Sequence, residues 1–96
     1  MPERTVTVAS SSGLHARPAA LFVKAAAAQP VQVKLRIGDG PAADARSILA
    51  VLALRVEHGT AVTLSASADD ETAANAAVDA LADLLSRDLD AEPANG

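Results

Sequence analysis

The chain has 96 residues, a net charge of −4, no cysteine, and Phe22 as its one aromatic residue besides two histidines. That length allows a single small domain with one modest core. The missing cysteines exclude disulfides and thiolate zinc sites. The near absence of aromatic rings argues against a reader that stacks bases, so no nucleic-acid partner is expected.

Met1 to Val8 contains the charged pair Glu3 and Arg4 and no apolar secretory core. The longest apolar run, Ile48 to Leu54, is too short to span a bilayer. A cytoplasmic location without membrane insertion is expected. The charge is unevenly divided: residues 1–56 carry a net +4 and residues 57–96 a net −8. An acidic partner would be steered to the N-terminal half, although such charges also serve simply to solvate surface helices.

Thr5 to Ala9 alternates polar and β-branched apolar residues, which predicts a half-buried strand. Ser10 to Gly13 is a turn cluster. Pro18 suits the first turn of a helix starting between Ala16 and Pro18, with Ala19, Ala20, Val23, Ala26 and Ala27 on its apolar face, Phe22 beside it, and Gln29-Pro30 at its end. Val31, Val33, Leu35 and Ile37 alternate with Gln32, Lys34 and Arg36, the clearest strand pattern in the chain. Gly38-Asp39-Gly40-Pro41 predicts a hairpin turn into a short returning strand, Pro41 to Ala45.

Ser47 is a natural N-cap for an apolar helix, Ile48 to Arg55, which Gly59 separates from a fourth strand, Ala61 to Ala66. A last helix is expected from about Asp70 to Leu85, with Asp69, Asp70 and Glu71 at its positive end and Ala74, Ala77, Val78, Leu81, Leu84 and Leu85 as its apolar stripe. The order β-α-β-β-α-β-α predicts an α+β fold, a two-layer open-faced sandwich with a four-stranded, mostly antiparallel sheet and three helices on one face. Residues 1–87 would form the domain and residues 88–96 a flexible polar tail.

Residues 13–19, Gly13-Leu14-His15-Ala16-Arg17-Pro18-Ala19, lie at the seam between the first strand and first helix. Imidazole is nucleophilic and unprotonated near neutral pH. Arg17 offers a forked contact to a phosphoryl group, and the free N–H groups of a helix start add oriented donors. Gly13 supplies backbone freedom to present His15. No carboxylate lies close in sequence to activate water, which favours group transfer over hydrolysis. Taken alone, these residues are equally compatible with a capping or solvated surface histidine. His58, before the Gly59 turn, is expected to be a solvated loop residue, and its spacing from His15 supports no metal site.

The heptapeptide resembles the active-site signature of the HPr family, the histidine-containing phosphocarriers of the bacterial sugar phosphotransferase system, without a departure. Ala45-Arg46-Ser47-Ile48-Leu49 resembles the segment around that family's regulatory serine, and the element order agrees over residues 3–86. The resemblance implies that His15 accepts a phosphoryl group on Nδ1 from phosphorylated enzyme I and passes it to a histidine of a sugar-specific enzyme IIA domain. Arg17 would steady the phosphate. The carrier would need no cofactor or metal and would be a covalent shuttle, not a free-standing catalyst. An HPr kinase/phosphorylase acting on Ser47 would be a further partner.

Ile48, Leu49, Val51 and Leu52 exceed one face of a short helix. Two of the four are expected in the core. The rest would form a partner-binding patch rimmed by Arg17, Lys24 and Arg46. Nothing suggests an obligate interface, so a monomer is expected. Three other readings are weaker: a carrier in a nitrogen-regulatory or dihydroxyacetone-kinase branch, a regulatory binding module that keeps the fold without transfer, and a small hydrolase. Intact His15 and Arg17 argue against the module, and the lack of an evident base argues against the hydrolase.

Overall fold

A computed structural model of the chain describes residues 3–11, 13–66 and 69–87. The elements are β1 (Glu3–Thr7), α1 (Ala16–Ala27), β2 (Val33–Arg36), β3 (Ala43–Asp44), α2 (Ile48–Ala53), β4 (Ala61–Ala66) and α3 (Glu71–Leu85). They form one four-stranded sheet in the order β1-β4-β2-β3. Every pairing is antiparallel, and three helices complete an open-faced sandwich as the element order predicts.

β4 lies between two partners and shows the cleanest alternation. Val62, Leu64 and Ala66 are buried, whereas Thr63 and Ser65 are only half-buried. Its register places Thr7 opposite Ala61 and Glu3 opposite Ser65 on β1, and Val33 opposite Ala66 and Arg36 opposite Thr63 on β2. Arg36 reaches across to Glu3 at 3.3 Å, and the Thr5 and Thr63 hydroxyls lie 3.0 Å apart.

The strand bounds differ from the expected ones for a tertiary reason. β1 was expected over Thr5 to Ala9 but ends at Thr7, because its partner strand begins at Ala61 after the Gly59 turn. Val8 still exchanges bonds with that turn, donating to the Thr60 carbonyl and accepting from Gly59 N–H, both at 2.9 Å. β2 is shorter than Val31 to Ile37: Val31 is half-buried outside the strand and Ile37 is exposed beside the hairpin turn. The returning strand keeps only Ala43 and Asp44 of the expected Pro41 to Ala45.

In α1, Ala19, Phe22 and Ala26 face the core, while Ala20 and Ala27, expected on the apolar face, are exposed. Flanked by α2 and α3, α1 buries a narrow stripe that includes Phe22. α2 ends at Ala53, two residues before the expected end. α3 buries Ala74, Ala77, Val78, Leu81, Ala82 and Leu85, and leaves Leu84 only partly covered. It packs over β1 and β4, its small side chains allowing close approach.

Asp70 caps α3, its Oδ1 accepting from the N–H groups of Thr72 at 2.9 Å and Ala73 at 3.3 Å. Asp70→Ala is expected to cost about 1 kcal/mol and, in a domain this small, to lower Tm by about 4–8 °C. Thermal unfolding followed by circular dichroism checks this. The residues expected to form a tail, 88–96, lie outside the described residues.

Candidate functional site

The segment joining β1 to α1 is held from below. Ala9 N–H donates to the Leu85 carbonyl at the end of α3, at 3.1 Å. The carbonyl of buried Ser10 accepts from Gly13 N–H at 2.9 Å, and the His58 ring places Nδ1 3.2 Å from the same oxygen. A carbonyl only accepts, so Nδ1 is the donor in that contact. Leu14 N–H donates to the Val56 carbonyl at 2.9 Å, and the Leu14 side chain is fully buried. His58, expected to be a free solvated residue, is exposed yet tied to this segment.

Gly13 is required here on two counts. Its φ of +70° lies in the left-handed region. A Cβ on it would also collide with the Val56 carbonyl oxygen and stand 2.7 Å from Glu57 Cα. The bare backbone lets the segment press against residues 56–57, and His15 follows two positions on.

His15 is the N-cap residue of α1, with extended backbone at φ −122° and ψ 156°. Its side chain makes no capping bond and is exposed. The imidazole thus sits at the positive end of a 12-residue helix without closing that end off. Pro18, buried in the first turn, has no N–H to satisfy there. Arg17 and Lys24 are exposed on the same helix.

α1 packs against α2. Ser47 caps α2 as expected, its Oγ accepting from Ala50 N–H at 3.2 Å. Asp44 shapes the approach, its Oδ1 taking the Arg46 N–H at 2.9 Å and its carbonyl the Ser47 N–H at 3.0 Å. The four apolar residues of α2 part company. Leu49 is 77% exposed and Ile48 38%, Leu52 is half-buried, and Val51 is fully buried. Val51, expected among the partner-binding residues, is corrected to a core residue, since it points beneath the short helix into the main cluster.

Arg46 is exposed, but its guanidinium donates to the Gln29 carbonyl just beyond α1, at 3.2 Å. It therefore ties the end of α1 to the approach of α2 as well as bordering the patch. Arg55, expected as the last residue of α2, lies outside that helix. It follows the last turn of α2 with φ +53°, the one non-glycine residue among those described with positive φ.

Among the described residues no group of three or more His, Cys, Asp or Glu side chains could hold a metal ion. None of the described helices is long and apolar enough to cross a membrane.

An open-faced β-α-β-β-α-β-α sandwich of this kind is shared with small phosphocarrier proteins. The family described as PTS HPr component phosphorylation site matches residues 2–87, and the chain belongs to this HPr family, phosphocarrier components of the phosphotransferase system. It is 43% identical over 93 residues to the phosphocarrier protein HPr of Streptomyces coelicolor, covering 97% of each chain. It is 48% identical over 85 residues to the HPr of Haloferax volcanii, covering 88% of this chain and 92% of the relative.

The solved structure of HPr from Bacillus anthracis superposes with a TM-score of 0.79 at 32% identity, over 88% of this chain and 95% of that one. HPr from Thermoanaerobacter tengcongensis gives a TM-score of 0.74 at 38% identity, over 90% and 96%.

Proposed function

We propose that His15 carries a phosphoryl group from phosphorylated enzyme I to a histidine of an enzyme IIA domain serving carbohydrate uptake, in the cytoplasm. The observation that carries this reading is the exposed His15 imidazole at the N-cap position of α1, engaged in no capping bond.

In transfer, the lone pair of His15 Nδ1 forms a new N–P bond as the N–P bond to the donor histidine breaks. The donor nitrogen keeps the bonding electron pair. The second transfer repeats this with His15 as the leaving group. Arg17 balances the charge on the phosphoryl oxygens, and the helix start adds a modest attraction of about 0.3–1 kcal/mol. A modest attraction suits a carrier, which must release what it holds. The chain is then a substrate shared by two enzymes, acting as a monomer and without turnover of its own.

Ile48, Leu49 and the half-buried Leu52, with Lys24 and Arg46 at the border, form the docking face in this reading. An exposed apolar centre with a charged rim suits brief encounters with several partners. Ser47 is the second modification site we propose, for an HPr kinase/phosphorylase. A phosphate there keeps an acceptor for Ala50 N–H while placing a dianion next to the docking face, so docking weakens and the fold persists.

The test is the intact mass of the chain after incubation with phosphoenolpyruvate, Mg²⁺ and enzyme I. One added phosphoryl unit, labile in acid and mapped to His15, is the expected result. No added mass with an active enzyme I would overturn the reading.

A further inference from the structure

We propose that Arg55 is a specificity-determining cation of the docking face, recognising a carboxylate that a protein partner carries near its own phosphoryl site. The proposal rests on the phosphocarrier reading and adds a residue to its docking face.

The starting point is a cost without a local return. Arg55 closes α2 in the left-handed conformation, its N–H bonding the Leu52 carbonyl at 3.1 Å while Leu54 N–H bonds Val51 at 3.2 Å. Glycine ends a helix this way without strain, whereas a residue with a Cβ does not. Strained residues of this kind concentrate at functional positions. The Arg4, Arg36 and Arg46 guanidinium groups are each engaged, with Asp79, with Glu3 and with the Gln29 carbonyl. The exposed Arg55 guanidinium has no hydrogen bond or ion pair among the described residues. A glycine would therefore serve the helix better, and the side chain has no partner among the described residues.

Its location supplies the use. The next residue, Val56, accepts the Leu14 N–H at 2.9 Å. Arg55 and His15 thus stand one residue to either side of the same hydrogen bond. The other end of α2 displays Ile48 and Leu49. Residues 1–56 carry a net +4, so the half of the chain that holds this face favours an acidic partner. A planar, forked guanidinium pairs with a carboxylate in two parallel bonds, which fixes register as well as charge.

The experiment compares wild type, Arg55→Gly and Arg55→Lys as substrates of phosphorylated enzyme I, across salt concentration, with Tm measured on each. Arg55→Gly removes strain and charge together. It is expected to raise Tm by a few degrees and yet raise KM about two- to fivefold at low salt, with kcat little changed. Arg55→Lys retains strain and charge but loses the fork, and should recover only part of the KM. A higher Tm with unchanged KM would overturn the proposal and make Arg55 a helix terminator only. A fall in kcat at unchanged KM would overturn it too, placing the guanidinium on the phosphoryl group. Wild type that is neither bound nor labelled would defeat the phosphocarrier reading itself, which keeps the two failures apart.

Discussion

His15→Ala is expected to accept no phosphoryl group from phosphorylated enzyme I and to keep its fold. The side chain is exposed and makes no capping bond, so its loss removes neither packing nor a helix cap. Its loss does remove the exposed imidazole at the start of α1. The other histidine, His58, donates Nδ1 to the Ser10 carbonyl and sits on a turn rather than at a helix start. Intact mass and circular dichroism on the same preparation check both halves of the expectation. A labelled His15→Ala chain would move the acceptor elsewhere, with His58 the first residue to map.

Arg17→Ala should leave His15 able to react but slow its transfer about 10²-fold, the low end for removing one preorganised donor from a site of developing charge. Arg17→Lys should lie between, since it keeps the charge and loses the fork.

Gly13→Ala is expected to carry the largest stability loss of any glycine-to-alanine change among the described residues. Two separate penalties fall on it. A left-handed φ of +70° disfavours any residue with a Cβ, by about 1–2 kcal/mol. The new Cβ also meets backbone, not a side chain that can swing away: the Val56 carbonyl oxygen and Glu57 Cα, the latter at 2.7 Å. Overpacking of that kind costs about 1–3 kcal/mol more. A domain of this size has only about 5–15 kcal/mol to lose. At about 4–8 °C per kcal/mol, Tm should fall on the order of 10–30 °C.

The damage is local as well as global. The methyl pushes apart the two segments joined by the bond from Leu14 N–H to the Val56 carbonyl, next to His15. Phosphoryl uptake should therefore fall even at temperatures where the chain remains folded. Uptake at wild-type rates in a folded Gly13→Ala chain would show that this contact does not position His15.

Wherever a local pattern suffices, sequence and structure agree. β4 needs only the alternation of Val62, Leu64 and Ala66, and its bounds match those expected. α3 needs only its apolar stripe and the Asp70 cap. Ser47 caps α2 from its own turn, and the hairpin at Gly38 follows from its turn residues. The placement of residues 13–19 was legible for the same reason: a strand end, a glycine, a histidine and a helix start are neighbours in the chain.

Long-range contacts decided the rest. Ile48, Leu49 and Val51 are chemically alike, and only what lies over each of them makes Val51 core and leaves Leu49 77% exposed. Arg46 looks like any surface cation until the end of α1 brings the Gln29 carbonyl to it. The termini of β1 and β3 depend on where their partner strands stop, which the strands' own residues do not encode. Gly13 could be read as a flexible hinge, but its close fit against Val56 exists only once residues 56–57 are in place. The left-handed turn at Arg55 is likewise a tertiary demand, since α2 must end there for Val56 to meet Leu14. Periodicity, caps and turn chemistry act within a few residues and were therefore determined by sequence alone. Burial, strand ends and close backbone approach belong to pairs of segments far apart in the chain, so only the folded structure decides them.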